Sequence, residues 1–459
     1  MAEVMTIKTP KPDNRKPKTL YPVSLGCPKN LVDTEIMLGR LAHQGWRVVA
    51  TPEEAWVLLV NTCAFIAPAS QEAVDTILEM ARHKETDPDK RLVVAGCLVA
   101  RYGEDLLPPL PEVDLFVGVN DFSRLPELLN GSMAATDPRL AHQVPRFDYL
   151  EPQPRFPATP GHLAYLKLAE GCSHRCTFCT IPAIRGPYRS RPLGTLLAEA
   201  QHLAATGVKE LNLVAQDTTA YGRDWGGPPG LVELLGELTA IPGLTWLRLL
   251  YTHPAHFTPE LIETLASLGK MAPYLDIPIQ HAHDEILQRM GRRYNQTHLL
   301  NLFRQLRQAL PGLALRTTVM VGFPGETEAH FHTLVDLVEE VQFEHLGVFL
   351  YYPEEGTPAC RYPEPVPRRT ARARARHLKA LQARRVRQRL KDLVGTVQPV
   401  LVEGVSSESE YLLTGRLITQ APDIDGQVYL TAGVGRVGEI QPVRLTRALP
   451  YDLVGEILS

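Results

Sequence analysis

Cys172, Cys176 and Cys179 fall within eight residues in the pattern C-x3-C-x2-C, embedded in Glu170-Gly171-Cys172-Ser173-His174-Arg175-Cys176-Thr177-Phe178-Cys179. Thiolates so close together are natural ligands for one metal centre. Iron–sulfur clusters usually take four cysteines, so a set of three suggests a cluster with one iron left for another ligand. Zinc also binds C-x2-C pairs, and His174 is the one nearby residue that could complete such a site. The apolar run 163–169 leads into the cysteines, which places them in a loop at the carboxyl end of a strand.

Three more cysteines, Cys27, Cys63 and Cys97, are about 35 residues apart. Each ends a short apolar run (21–26, 55–61 and 91–96), and helical stretches (31–43 and 71–83) alternate with these runs. Together with a fourth run, 114–119, this alternation predicts an α/β domain with a mostly parallel sheet. Sites in such sheets form outside the carboxyl ends of the strands. The three thiols can therefore share a metal site, although three separate core cysteines would also fit, since free cysteine is often buried. The seventh cysteine, Cys360, reads as a free thiol in a loop.

From 163 to 353 the strand–helix alternation lengthens. Strands are expected at 165–169, 210–215, 246–251, 274–279, 315–321 and 346–351, with helices at 193–206, 231–239, 259–268, 297–310 and 328–341. Six βα units predict a partial, TIM-like (βα)6 barrel with its site at the strand carboxyl ends. Gln216-Asp217-Thr218-Thr219 ends the second strand and is polar where a site is expected. Gly322-Phe323-Pro324-Gly325-Glu326-Thr327 follows the fifth, where glycines and a helix start permit close approach of an anionic ligand; a plain tight turn fits equally well. His281, after the fourth strand, reads as a structural hydrogen-bonding residue.

An arginine-rich stretch, 367–391, reads as a solvated helix joining two domains, with a narrow apolar stripe at Leu378, Leu381, Val386 and Leu390. RNA contact is the sharper alternative. Beyond it, five short strand patterns predict a small OB-like β-barrel. From 391 onward nine anions face five cations. Phosphate binding needs the opposite balance, so the barrel suits a basic protein partner, and direct nucleic-acid binding is not required. The expected boundaries are a disordered tail at 1–19, an iron–sulfur domain at 20–131, a proline-rich linker at 132–157, the barrel core at 158–390 and the terminal barrel at 391–459.

The totals agree with this reading. The 459 residues allow several domains, and a net charge of −3 gives no global pull to nucleic acid or membrane. No apolar run reaches the ~18 residues of a membrane span, and the Lys- and Pro-rich start has no signal-peptide core. A cytoplasmic chain with an odd cysteine count favours metal or redox chemistry over disulfides.

The C-x3-C-x2-C loop after the first strand of a partial barrel resembles that of radical S-adenosylmethionine (SAM) enzymes. The chain from 20 to 459 resembles the methylthiotransferases among them. The resemblance implies two [4Fe–4S] clusters. Cys172, Cys176 and Cys179 would hold the one that binds and cleaves SAM; Cys27, Cys63 and Cys97 would hold the second, which carries sulfur. Phe178 matches the aromatic near the adenine, and Gln216, Asp217, Gly322 and Gly325 are the expected cofactor contacts. Val23-Ser24-Leu25-Gly26-Cys27-Pro28-Lys29-Asn30, Asn61-Thr62-Cys63-Ala64-Phe65-Ile66, Gln216-Asp217-Thr218-Thr219, Tyr352-Pro353-Glu354-Glu355-Gly356-Thr357 and Gln420-Ala421-Pro422-Asp423-Ile424-Asp425-Gly426 resemble the branch that modifies a protein. That branch converts an aspartate of small-subunit ribosomal protein uS12 to 3-methylthioaspartate, with electrons from a donor such as flavodoxin or ferredoxin. The alternative branch modifies tRNA adenosine. Two positions depart from the pattern: His253 stands where an aromatic is expected before Pro254, and Ala64 where glycine is common.

Overall fold

The structure is a computed structural model that describes residues 17–130, 139–141, 153–406 and 408–458. Most of the expected N-terminal tail and of the expected linker lies outside the described residues. The chain divides into two compact units: residues up to 158 with 171–173 and 180–189, and the remainder.

The first unit contains β1 (Thr19–Ser24), α1 (Pro28–Ala42), β2 (Arg47–Val48), β3 (Val57–Thr62), α2 (Ala67–Thr86), β4 (Arg91–Gly96), α3 (Cys97–Tyr102), β5 (Leu115–Val117), α4 (Leu125–Leu129) and β6 (Leu140–Ala141). The strands form one parallel sheet in the order β2-β1-β3-β4-β5-β6. Every residue of β3 is buried, as expected of an inner strand covered on both faces. The two edge strands, β2 and β6, are two residues each and too short for the sequence pattern to show. The described end of the expected linker is no free tether. Phe156 N–H donates to Glu35 O at 2.9 Å, Ala158 N–H donates to Glu35 Oε1 at 2.7 Å, and Arg155 pairs with Glu35. This unit also includes α5 (Ile181–Arg185), whose Ile184 joins the core of the sheet domain.

The second unit begins with β7 (Leu163–Lys167); two short strands, β8 (Ala169–Glu170) and β9 (Arg189–Ser190), flank the cysteine-rich stretch. Then follow α6 (Leu193–Ala205), β10 (Glu210–Val214), α7 (Leu231–Ala240), β11 (Trp246–Leu249), α8 (Pro259–Ser267), β12 (Met271–Asp276), α9 (Asp284–Arg289), α10 (Gln296–Ala309), β13 (Ala314–Val321), α11 (Glu328–Val341) and β14 (His345–Leu350). The six long strands pair in parallel in the order β14-β13-β12-β11-β10-β7, which is sequence order reversed, as six consecutive βα units require. The sheet does not close, so this is the expected partial barrel.

α12 (Arg368–Leu393) carries the expected apolar stripe on a helix whose arginines are mostly exposed. Leu378, Leu381 and Leu390 are buried, and Arg374 is 6% exposed, donating to Glu326 O at 3.0 Å and Glu328 Oε2 at 3.1 Å. Gln382 donates to the Phe343 and Glu344 carbonyls. The packing of Arg374 and Gln382 beside that stripe is what the sequence did not show. The last five strands, β15 (Val397–Ser406), β16 (Ser409–Leu417), β17 (Val428–Ala432), β18 (Ile440–Ala448) and β19 (Leu453–Ile457), form the expected closed barrel.

That barrel is joined to the core by buried ion pairs. Glu210 at the start of β10 is 0% exposed and accepts from Arg248 Nε at 2.8 Å and Arg416 Nη2 at 2.6 Å. Arg416 also holds Glu403 at 2.7 Å. Asp425 accepts from Arg316 at 2.9 Å and Tyr274 Oη at 2.7 Å. Glu210 opens β10, so its contact is made at the amino end of that strand.

Candidate functional site

In the first unit, the ends of β1, β3 and β4 are neighbours in the sheet and in register, with Ser24 opposite Asn61 and Thr62 opposite Gly96. Cys27 is the N-cap of α1, Cys63 directly follows β3, and Cys97 opens α3. Pro28 at the first helical position fits a helix start, where an N–H would have no partner anyway. Gly26 has φ +89°, and a Cβ there would meet Cys63 Cβ at 2.6 Å. A side chain at 26 would therefore push apart two of the cysteine-bearing loops.

The electrostatics differ across the three thiols. Burial raises Cys97 to about 11, against the Arg185 guanidinium, which lowers it. Cys63 is also raised, mainly by burial. Burial opposes ionisation of Cys27 too, but Lys29, Arg185 and the backbone N–H groups of Asn30 and Lys29 outweigh it and lower this thiol. Arg185 acts on all three.

Among the described residues, the groups with ligand atoms all within 4.8 Å are His174/Asp217/His253/His256 and His283/Glu285/His330, and neither contains a cysteine. Sulfurs on one zinc lie within about 4.6 Å of each other, given Zn–S bonds of about 2.3 Å. Three thiols on neighbouring strand ends are a donor set that suits an iron–sulfur centre.

In each histidine group at least one ring is a poor ligand. His253 Nδ1 accepts from Ala255 N–H, His283 Nδ1 from Glu285 N–H, and His330 Nδ1 from Thr327 N–H. In the neutral ring the proton then sits on Nε2, which makes that nitrogen a donor and not a metal ligand.

In the second unit, the stretch carrying Cys176 and Cys179 is held by Thr177 N–H to Met290 O at 3.1 Å, Thr177 Oγ1 to Arg289 O at 2.8 Å, and Ala359 N–H to Thr177 O at 2.8 Å. Phe178 is buried, edge-on to Phe323 with centroids 6.4 Å apart, and the Arg292 guanidinium lies 6.0 Å from its ring. Burial opposes the charge of Arg292, yet Tyr294, Cys176, Cys179 and Asp217 together raise it. A fixed cation thus faces the two thiols.

Asp217, 1% exposed, accepts from His174 Nε2 at 2.6 Å and from Thr219 Oγ1 at 2.6 Å, and His256 Nδ1 lies 2.9 Å away. Burial works against its charge, but the bonds from His174 and His256 dominate and hold the carboxyl well below the usual range. Gln216 is half-buried, and its Oε1 has no protein partner, which leaves an acceptor for a ligand. The structure thus brings Asp217 to the cysteine stretch through His174.

Gly322 and Gly325 have another reason to be glycine. A Cβ on Gly322 would meet Ala371 Cβ of α12 at 2.5 Å, and one on Gly325 would meet the Arg289 guanidinium at 2.4 Å. The start of α11 is also satisfied from within: Thr327 caps His330 N–H, and Glu326 accepts from Gly322 N–H. The close backbone approach expected there is to the chain's own helix and arginine.

His281 is fully buried, accepts from His283 N–H at 3.0 Å and is kept neutral mainly by burial, as a structural histidine would be. Cys360 is a half-buried free thiol in the turn Pro358–Arg361. The sequence reading gave His174 only as a possible zinc ligand and passed over His256, Arg292 and Arg185. His253 was visible as a departure from the family pattern; it stacks on His174 with centroids 4.1 Å apart and so does reach the cysteine stretch.

Three family models match the chain: Uncharacterized protein family UPF0004 over residues 19–118, the Radical SAM superfamily over 166–338 and the TRAM domain over 394–458. The fold is similar to that of the radical SAM methyltransferase TsrM from Kitasatospora setae, solved with cobalamin and a [4Fe–4S] cluster bound (TM-score 0.57, 18% identity, 75% of this chain and 77% of that one). The parallel partial barrel and its cysteine motif define a radical SAM enzyme. Across nearly its whole length the chain is similar to proteins named ribosomal protein uS12 methylthiotransferase RimO. The one from Geobacter sulfurreducens is 49% identical over 95% of this chain and 98% of its own, and that from Myxococcus xanthus 48% over 96% and 92%. The chain belongs to the RimO family of radical SAM methylthiotransferases.

Proposed function

We propose that this chain adds a methylthio group to the β-carbon of an aspartate in ribosomal protein uS12, giving 3-methylthioaspartate, with SAM and two [4Fe–4S] clusters as cofactors. The observation that carries this reading is the full-length likeness to proteins named for uS12. The same likeness favours this reading over the tRNA alternative. When bound, the clusters and SAM supply the radical and sulfur chemistry that an unactivated C–H bond requires.

The chain's own residues supply ligands and position. Cys172, Cys176 and Cys179 are assigned to one cluster, and Cys27, Cys63 and Cys97 to the other. Arg292 offsets thiolate charge at Cys176 and Cys179. Phe178 forms an apolar wall, and Asp217, through His174, fixes the peptide between Cys172 and Cys176. Gln216 offers its free acceptor to SAM. Gly322 and Gly325 shape the neighbouring turn by packing.

A low-potential one-electron donor of flavodoxin or ferredoxin type fits the chemistry. Action on a ribosomal protein supports a cytoplasmic location. Among the described residues no helix is long and apolar enough to cross a membrane.

Mass spectrometry of uS12 from cells lacking the gene tests the assignment. The modified aspartate is expected to lose its methylthio mass. Retention of that mass would refute the reading.

A further inference from the structure

Arg185 ends α5 and is 2% exposed. Its Nη1 donates to Asp33 Oδ2 at 2.9 Å, and its Nη2 to Asn30 Oδ1 at 3.1 Å and to Cys97 Sγ at 3.3 Å. A buried guanidinium must be paired to be tolerated, and Asp33, 0% exposed, already provides that pairing. The second N–H is nevertheless turned onto a sulfur.

The segment bearing it continues directly from Cys179. Thr180 Oγ1 donates to Phe65 O at 3.2 Å, two residues beyond Cys63. Residues 180–185 therefore reach two of the three cysteine loops of the first unit.

We propose that Arg185 is a positioning residue that sets the reduction potential of the centre held by Cys27, Cys63 and Cys97. This rests on the reading that those cysteines hold an iron–sulfur cluster. One-electron reduction adds a negative charge to the cluster and moves no proton. An N–H···S hydrogen bond and a buried cation favour that more negative form, and hydrogen bonds to the sulfurs are a recognised lever on cluster potential.

The test uses the full-length chain with Cys172→Ala, Cys176→Ala and Cys179→Ala, reconstituted anaerobically with iron and sulfide so that only the first-unit centre forms. Its potential is read by redox titration with electron paramagnetic resonance detection. Adding Arg185→Met is expected to make reduction at least tenfold less favourable, ~59 mV more negative for a one-electron couple. Arg185→Lys should recover part of that shift. Asp33→Asn, which leaves the guanidinium without its carboxylate, should move the potential the other way. A fully iron-loaded Arg185→Met centre with an unmoved potential overturns the proposal. If that variant loses its iron, unmoved potentials in both Arg185→Lys and Asp33→Asn overturn it. A parent chain that binds no iron instead removes the cluster reading, and this inference with it.

Discussion

Replacing Asp217 separates charge from shape at the cysteine stretch. Its Oδ2 accepts from His174, which lies between Cys172 and Cys176, while its Oδ1 holds Thr219, whose Oγ1 in turn accepts from His253 N–H at 3.0 Å. A hydrogen bond to a charged group contributes about 1.5–3 kcal/mol net. At ~1.4 kcal/mol per factor of ten, Asp217→Ala should lower the population of the competent loop by about 10- to 150-fold. Asp217→Asn keeps an acceptor for His174 but loses the charge, and neutral bonds are roughly half as strong. Its loss should be about 3- to 10-fold. The assay is 5′-deoxyadenosine formation from SAM, normalised to bound iron, in the reconstituted full-length chain. If Asp217→Ala binds a full complement of iron and cleaves SAM within about twofold of the parent, the carboxylate does not position the loop and the reasoning fails.

Glu210→Gln leaves Arg248 and Arg416 facing each other in a dry interior and should cost ~3–5 kcal/mol, the usual penalty for breaking a buried pair; denaturant titration reads it, and a loss under ~1 kcal/mol would contradict the network. Gly322→Ala forces a contact with Ala371 at a φ of +83° and should destabilise by ~1–3 kcal/mol, partly recovered by adding Ala371→Gly; no recovery would return the glycine to a ligand-binding role. Burial holds His253 down at about 2, whereas the unfolded ring titrates near ~6.5. The unfolded chain therefore takes up the proton first, so stability is complete above about pH 6.5 and falls by up to ~1.4 kcal/mol per unit below it. Unfolding midpoints at pH 7.5 and 5.5 should show this slope, and His253→Gln should flatten it.

The long elements were legible because their patterns are long. β10, β13 and α11 carry enough apolar repeats to declare period and direction, and strand order then follows from six consecutive βα units. The placement of Cys27, Cys63 and Cys97 at neighbouring strand ends was legible because each follows a clear apolar run. β2 and β6 were not: two residues carry no period, and both strands exist only because neighbours offer unpaired edges. In α12 the apolar stripe was legible but the burial of Arg374 was not, because in sequence it looks like its exposed neighbours Arg372 and Arg376. Only the position of the Glu326 carbonyl and the Glu328 carboxylate distinguishes it. The glycines of the 322–325 turn show the same limit. Sequence reveals that a side chain is excluded there, but not whether a ligand or a neighbouring helix excludes it.

Charge counting in the terminal barrel needs the same correction. Of the nine anions, Asp425 lies against Arg316, Tyr274 and His345, and Glu403 against Arg416. Those charges hold the barrel to the core and are screened from any partner. Arg416 is removed from the surface by the same pairing. What faces outward is Asp392, Glu408, Glu410, Asp423, Glu439 and Glu456, with Asp452 half-buried, against Lys391, Arg436, Arg444 and Arg447. Arg436 is partly committed to Glu439, at 3.7 Å. The surface is less acidic than its composition, yet its sign is unchanged, and a surface of this sign attracts a basic protein and repels a phosphate backbone. The buried charges and the exposed ones thus do different work. The first fix where the barrel stands relative to the catalytic core, and the second bias which class of macromolecule can approach it.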